Sequence, residues 1–299
     1  MLTSVGDYAF ANCEKFDLTA PNLATIGVSS FENCTSLTDV IIPETVTSIG
    51  YRSFTNCKAL EKITLPKGLT TLGYSSFAQC TALTEITIPQ KLTKLEQYTF
   101  DDCTSLANVV FAKDSQLELI EYSAFQNCTS LKKITLPDTI TTIGGNSFRA
   151  SGLEAITIPE AVTTMNEYVF ENCVSLETVN ISASLTSLPS CSFNKCTALK
   201  TVNFAKKSEL TSIGDSAFSK CTSLEKIIIP DTVTAFGANV FADCTSLKEI
   251  TLSKALTSIP EKSFYKCITL EEIIITENVK SISKNAFYGC DALKKAVIL

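Results

Sequence analysis

Thirteen cysteines are the residues of this 299-residue chain best equipped for chemistry. Paired and oxidised they would be disulfides, four converging thiolates would hold zinc, and a single ionised one would be a nucleophile. Their spacing decides between these. Twelve recur at a near-constant interval, as Cys13, Cys34, Cys57, Cys80, Cys103, Cys128, Cys173, Cys196, Cys221, Cys244, Cys267 and Cys290. One cysteine per turn of a stack puts neighbours ~4.8 Å apart. That distance suits a disulfide, but side chains pointing the same way bridge poorly. A straight ladder also gives each thiol two neighbours, where zinc needs four ligands. The spacing therefore favours small buried hydrophobes near a corner. Cys191 stands outside the column and is the candidate for an exposed or reactive thiol. A buried ladder is inert under either redox condition, so it does not fix the compartment.

Other chemistry is excluded by composition. The chain has no histidine, which removes Ser-His-Asp and Cys-His nucleophile systems and His-containing zinc sites. Its carboxylates are scattered, with no pair placed as general acid and base. No phosphate-binding loop, dinucleotide fingerprint or EF-hand loop occurs. No catalytic, cofactor-binding or metal residue is therefore expected, and no cofactor. A net charge of −6 argues against nucleic acid as a partner. A hydrophobic share of 45% against 19% charged excludes a disordered tail. No apolar run reaches the ~18 residues of a membrane-spanning helix. Met1 is followed by Leu2-Thr3-Ser4-Val5-Gly6-Asp7, which does not read as a secretory signal. Three sequons, Asn33-Cys34-Thr35, Asn127-Cys128-Thr129 and Asn180-Ile181-Ser182, are present. The first two fall on the cysteine corner and read as incidental.

The cysteines belong to a larger period. Phenylalanines stand three residues before them, at Phe10, Phe31, Phe54, Phe77, Phe100, Phe125, Phe148, Phe170, Phe193, Phe218, Phe241, Phe264 and Phe287, mostly 23 residues apart. A leucine follows three residues after the cysteine, as at Leu37, Leu60, Leu83 and Leu106. Such self-similarity marks stacked repeats that share one core, because no single unit buries its apolar side alone. Within a unit, Leu60–Leu65 reads as a strand with Ile63 and Leu65 on one face. Pro66 ends it, having no N–H for a ladder. Leu69–Leu72 is a second extended piece, and Gly73 is expected at positive φ at the corner. Tyr74–Cys80 is too short for an independent helix and is expected as one helical or 3₁₀ turn carrying Phe77 inward.

Leu-x-x-Ile-x-Ile-Pro followed by Ile-Gly-x-x-Ala-Phe-x-x-Cys resembles the BspA-like leucine-rich repeats, over essentially the whole chain. The resemblance implies a leucine-rich-repeat solenoid. It would have a parallel β-sheet on the concave side, short extended and 3₁₀ or helical turns on the convex side, and about 12–13 repeats. Residues 1–299 would form a single such solenoid. The chain begins inside a unit and stops within a strand, which reads as a fragment or an uncapped repeat domain open to end-to-end self-association. The resemblance also implies a non-enzymatic, protein-binding cell-surface adhesin for host or matrix proteins. The rival expectation is a cytoplasmic scaffold docking through its convex face or ends.

Two surfaces are candidates for a protein ligand. On the concave face the outward strand column holds Ile41, Thr64, Thr87, Val110, Thr135, Thr157, Asn180, Asn203 and Ile228, continuing to Thr251 and Ile274. These are also simply good strand formers. On the convex side Tyr51, Tyr74 and Tyr122 share a column three residues before the phenylalanine, with Gln97 between. They form either an amphipathic interface strip or corner packing. Beyond the 21-residue interval from Phe10 to Phe31, three units depart from the period. The unit at Phe148 is one residue short, lacks its cysteine and places Gly152 where the backbone must adjust. The units containing Phe111–Leu117 and Phe204–Leu210 are each two residues longer than the period, as binding-face loops or as tolerated drift.

Overall fold

Each repeat supplies one turn, and identical positions of successive turns pair in parallel. The computed structural model describes residues 3–13 and 22–299. By compactness the chain divides into two units, Met1–Leu153 and Glu154–Leu299. In the first, strands Asp39–Ile41, Lys62–Thr64, Glu85–Ile88 and Asn108–Phe111 form one ladder, with Val40 opposite Ile63 and Ile86 opposite Val109. These four residues are buried, while Ile41, Thr64, Thr87 and Val110 point to solvent. A second ladder joins the shorter pieces Ser4–Val5, Thr25–Ile26, Ser48–Ile49 and Thr71–Leu72. The second unit repeats the plan in Ala155–Thr157, Thr178–Ile181 and Thr201–Phe204, then Lys226–Ile228 with Glu249–Thr251, and Glu272–Ile275 with Lys295–Ile298.

The core is the phenylalanine column. Phe31, Phe54, Phe77, Phe100, Phe125 and Phe148 in the first unit are 0% exposed, as are Phe170, Phe193, Phe218, Phe241 and Phe264 in the second. Successive rings stack with centroids 5.1 Å apart for Phe31–Phe54 and 5.4 Å for Phe170–Phe193. Burying each ring contributes about 1.5–3 kcal/mol.

The convex segment is not helical, and no helix occurs among the described residues. Two residues per turn, two before and two after the phenylalanine, lie in the left-handed region. Ser75 has φ 53° and Gln79 φ 62°, and Ser123 and Asn127 have 55° and 58°. The alternation splits the N–H groups between two tasks. Those of Ser75, Phe77 and Gln79 donate to Gln97, Thr99 and Asp101 of the next turn at 2.8, 2.9 and 2.7 Å. Those of Ala78 and Cys80 close local turns onto Ser75 and Phe77. A helix would use all five locally and leave the stack without its sideways bonds. Asparagine recurs at the second left-handed position, at Asn12, Asn33, Asn56, Asn127 and Asn172, because it tolerates that conformation better than most residues.

The corner glycines also serve a different purpose from the one expected. Gly73 is not at positive φ; a Cβ there would lie 2.5 Å from the Tyr51 nitrogen of the preceding turn. Stacked backbones approach too closely for a side chain. The same holds at Gly152, where a Cβ would come within 2.0 Å of the Thr129 carbonyl oxygen. In this short unit buried Ser151 occupies the cysteine slot, its N–H donating to the Phe148 carbonyl as the cysteines do to their own phenylalanine.

All thirteen cysteines are free, and those between the ends of the column are buried. They do more than fill space. Thiols along the column donate to the phenylalanine carbonyl of the preceding turn, as from Cys80 to Phe54, Cys103 to Phe77 and Cys244 to Phe218, all at 3.1 Å. Burial pushes the Cys80 and Cys244 thiols up to about 12, which keeps them protonated and donating.

Candidate protein-binding surfaces

The outward strand column lies where alternation puts it. Ile41, Thr64, Thr87, Val110, Thr135, Thr157, Asn203 and Ile228 are exposed and Asn180 is half-buried. Ile41 is 74% exposed and Ile228 58%. Between Thr157 and Asn203 runs a short amide ladder: Asn180 Nδ2 donates to Thr157 Oγ1, and Asn203 Nδ2 to Asn180 Oδ1, both at 2.9 Å. This bond occupies the Asn180 side chain of the third sequon. The neighbouring column is charged and self-paired, with Lys62–Glu85 at 3.2 Å, Lys226–Glu249 at 2.7 Å and Lys295–Glu272 at 2.9 Å. These exposed pairs orient side chains and contribute little stability.

Both long units sit beside an opening in this face. In the first, the ladder ends at Asn108–Phe111, and residues 131–137 of the next turn form no strand. A cleft of about 790 Å³ lies there, lined by Val110, Phe111, Ser115, Thr135, Pro137 and Asp138 among others. In the second, Thr201–Phe204 and Lys226–Ile228 belong to separate sheets. A cleft of about 520 Å³ is lined there by Asn203, Phe204, Ser208, Ile228, Pro230 and Asp231. The six positions correspond one to one, 93 residues apart. The loops are built alike as well. The Ser115 and Ser208 hydroxyls accept the N–H of Leu117 and Leu210 at 3.3 Å. Gln116 and Glu209 rejoin the stack by donating to Gln90 and Ala183. Sequence reasoning noted both insertions but missed the openings. One further interruption, between Glu249–Thr251 and Glu272–Ile275, occurs at ordinary spacing.

The tyrosine strip is arranged differently from its expected column. Tyr51, Tyr74 and Tyr122 are exposed. Tyr51 and Tyr74 pack against each other at 4.9 Å, whereas Tyr122 meets Tyr98 edge-on at 5.5 Å. Tyr98 lies one residue after the column, at a left-handed position, and was not singled out from sequence. Cys191 is half-buried, also at a left-handed position, and burial pushes its thiol up, away from the ionised form a reactive thiol needs. In the other two sequons the Asn33 and Asn127 amides donate to Asn12 and Asp102 of the preceding turn. Among the described residues no cluster of metal-ligating side chains occurs, and no helix is long and apolar enough to cross a membrane.

The profile of the BspA type leucine rich repeat region matches residues 3–128, 118–245 and 206–299. The chain belongs to this family. Among solved structures, this BspA-type chain is similar to a leucine-rich repeat protein from Bacteroides ovatus, at 26% identity and TM-score 0.62, over 98% of this chain and 87% of that one. It is similar to a leucine rich cell surface protein from Faecalibacterium prausnitzii at 23% identity and TM-score 0.54, over 99% and 83% of the two chains. The pneumococcal vaccine antigen PcpA shares the fold at 20% identity and TM-score 0.56, over 100% and 85%. No curated protein matches the BspA-type chain.

Proposed function

We propose that this chain is a non-enzymatic protein-binding domain displayed at a cell surface or secreted, where it acts as an adhesin for host or matrix proteins. The observation that carries the reading is the outward strand column, which leaves Ile41, Val110 and Ile228 in water among threonine and asparagine. Bulky apolar side chains repeated along one face supply contact area for an extended protein surface. The family and the likeness to a protein named for the cell surface support the location. Changing Thr87, Thr135 and Thr157 together to Lys is expected to abolish capture of purified host and matrix proteins while leaving the melting temperature in place. Unchanged affinity would remove the sheet face from the reading. Antibody labelling of intact source cells tests the location. A second reading, an intracellular scaffold, is favoured by the exposed Tyr51, Tyr74 and Tyr122 rings. Labelling that appears only after permeabilisation selects it.

A further inference from the structure

We infer that the cleft beside the first insertion is a receptor for an extended, basic peptide segment of the protein partner, which adds main-chain hydrogen bonds to the open edge of Asn108–Phe111. The inference rests on the protein-binding reading above and names the chemistry of one of its contacts. Hydrogen-bond parity identifies the open groups. The N–H of Asn108 donates to Thr84 and that of Ala112 to Ile88, so the even-numbered residues face the preceding turn. The N–H and C=O groups of Val109 and Phe111 face the following turn, where no strand receives them. A parallel ladder elsewhere satisfies such groups, and an open edge is a template for another extended chain. The occupant must carry N–H and C=O groups at strand spacing, which is the property of a peptide main chain. The cleft's volume lies within the roughly 300–1,000 Å³ of ordinary ligand sites.

Charge selects among peptides. Asp114 and Asp138 both line this cleft, are exposed, and form no ion pair among the described residues; Lys133 is the one cation in the lining, so acid outnumbers base there. In the second insertion Lys207 stands at the position of Asp114, and Lys206 lines the cleft. There Asp231, the counterpart of Asp138, is held by Lys254, accepting its main-chain N–H at 3.1 Å and facing its Nζ at 3.5 Å. The second cleft has the same open edge without the free acid pair, so lysine- or arginine-bearing segments should distinguish the two.

The test pans a random heptapeptide library displayed on phage against the full chain, with counter-selection on a variant lacking Lys113 and Asp114, which restores ordinary spacing. The selected peptides are expected to alternate β-branched residues with Lys or Arg. A synthetic member should slow amide exchange at Val109 and Phe111 at least tenfold, and Asp114→Asn with Asp138→Asn should weaken it at least fivefold. Should the deletion fail to fold, N-methylation of alternate peptide amides on the intact protein serves the same purpose, and only one parity should lose binding. Peptides that bind parent and deletion variant alike, that protect amides elsewhere only, or that tolerate N-methylation at both parities would overturn the inference. Capture of host or matrix proteins that persists in the deletion variant would overturn this contact and leave the adhesin reading standing. Peptide binding without any such capture would do the reverse.

Discussion

The phenylalanine corner and the sheet face meet the same two insertions with opposite results. Between the turns of Phe100 and Phe125 the corner is joined as in the neighbouring turns of the same unit, by Tyr98, Phe100 and Asp102 donating to Tyr122, Ala124 and Gln126, with rings 5.4 Å apart. Between Phe193 and Phe218 the three bonds from Cys191, Phe193 and Lys195 are all 2.8 Å. At both junctions the ladder of the outward face is missing, whereas the short-strand ladder continues, Lys94–Leu95 pairing with Leu119–Ile120 and Ser187–Leu188 with Ser212–Ile213. The corner and the short strands therefore carry the continuity of each unit, and this frees the outward sheet face to vary. Stability lies at the corner, and the recognition proposed above lies on the other side of the turn.

The largest effect should come from cutting the corner. Phe125→Ala removes a fully buried ring stacked at 5.4 Å on both Phe100 and Phe148, and is expected to cost about 3–5 kcal/mol in urea unfolding. Val110→Ala, on the exposed sheet face of the same unit, should change stability by about 0.5 kcal/mol or less. Similar losses from the two substitutions would break the division of labour.

A smaller effect sharpens what the cysteine contributes. Cys103 is fully buried and its thiol donates to the Phe77 carbonyl, which also accepts the Cys80 N–H. Cys103→Ala empties the slot and should cost about 1–2 kcal/mol. Cys103→Ser should cost less, since a hydroxyl donates to the same oxygen and Ser151 already occupies the equivalent slot. If serine costs more than alanine by thermal melts, packing alone explains the column.

The two sides also differ in how far the sequence reveals them. The spacing of Phe, Cys and Leu exposes the core and the turn, because an apolar residue recurs wherever the core does. Strand alternation likewise exposes the outward column from Ile41 to Ile228. The left-handed pair in each turn is hidden, since its positions hold residues as unlike as Ser75 and Gln79, Arg52 and Asn56, or Cys191 and Lys195. The sign of φ there is imposed by carbonyls of the next turn, and local propensity reports it only in part, through asparagines such as Asn33, Asn56 and Asn127. The glycine at the corner suggested a turn conformation and instead marks backbone contact, a property of two turns together. Phe111–Leu117 and Phe204–Leu210 are visible as extra residues, but the opening they flank depends on strand pairing, and local sequence is silent about it.

The smallest predicted effect separates the sides by pH. Asp101, next to Phe100 on the corner, is half-buried, and burial together with neighbouring Asp102 raises its carboxyl to about 6 despite a bond from Gln126. In the unfolded chain the same group titrates near about 3.9. Between these values the unfolded chain releases its proton first, so rising pH favours unfolding; the penalty is complete above about 6 and absent below the unfolded value. Asp101→Asn removes the charge and keeps an oxygen to accept from Gln126. It should stabilise the protein by about 1 kcal/mol near pH 7.5, discounted for partial exposure, and by nothing near pH 3.5. On the sheet face Glu249 is exposed and paired with Lys226. Glu249→Gln should shift stability by no more than about 0.5 kcal/mol, in the opposite direction, near pH 7.5. Urea midpoints of both variants across this pH range decide the matter. A gain for Asp101→Asn at low pH as well as high would mean that the corner does not desolvate that carboxylate, and that the two sides differ in packing alone.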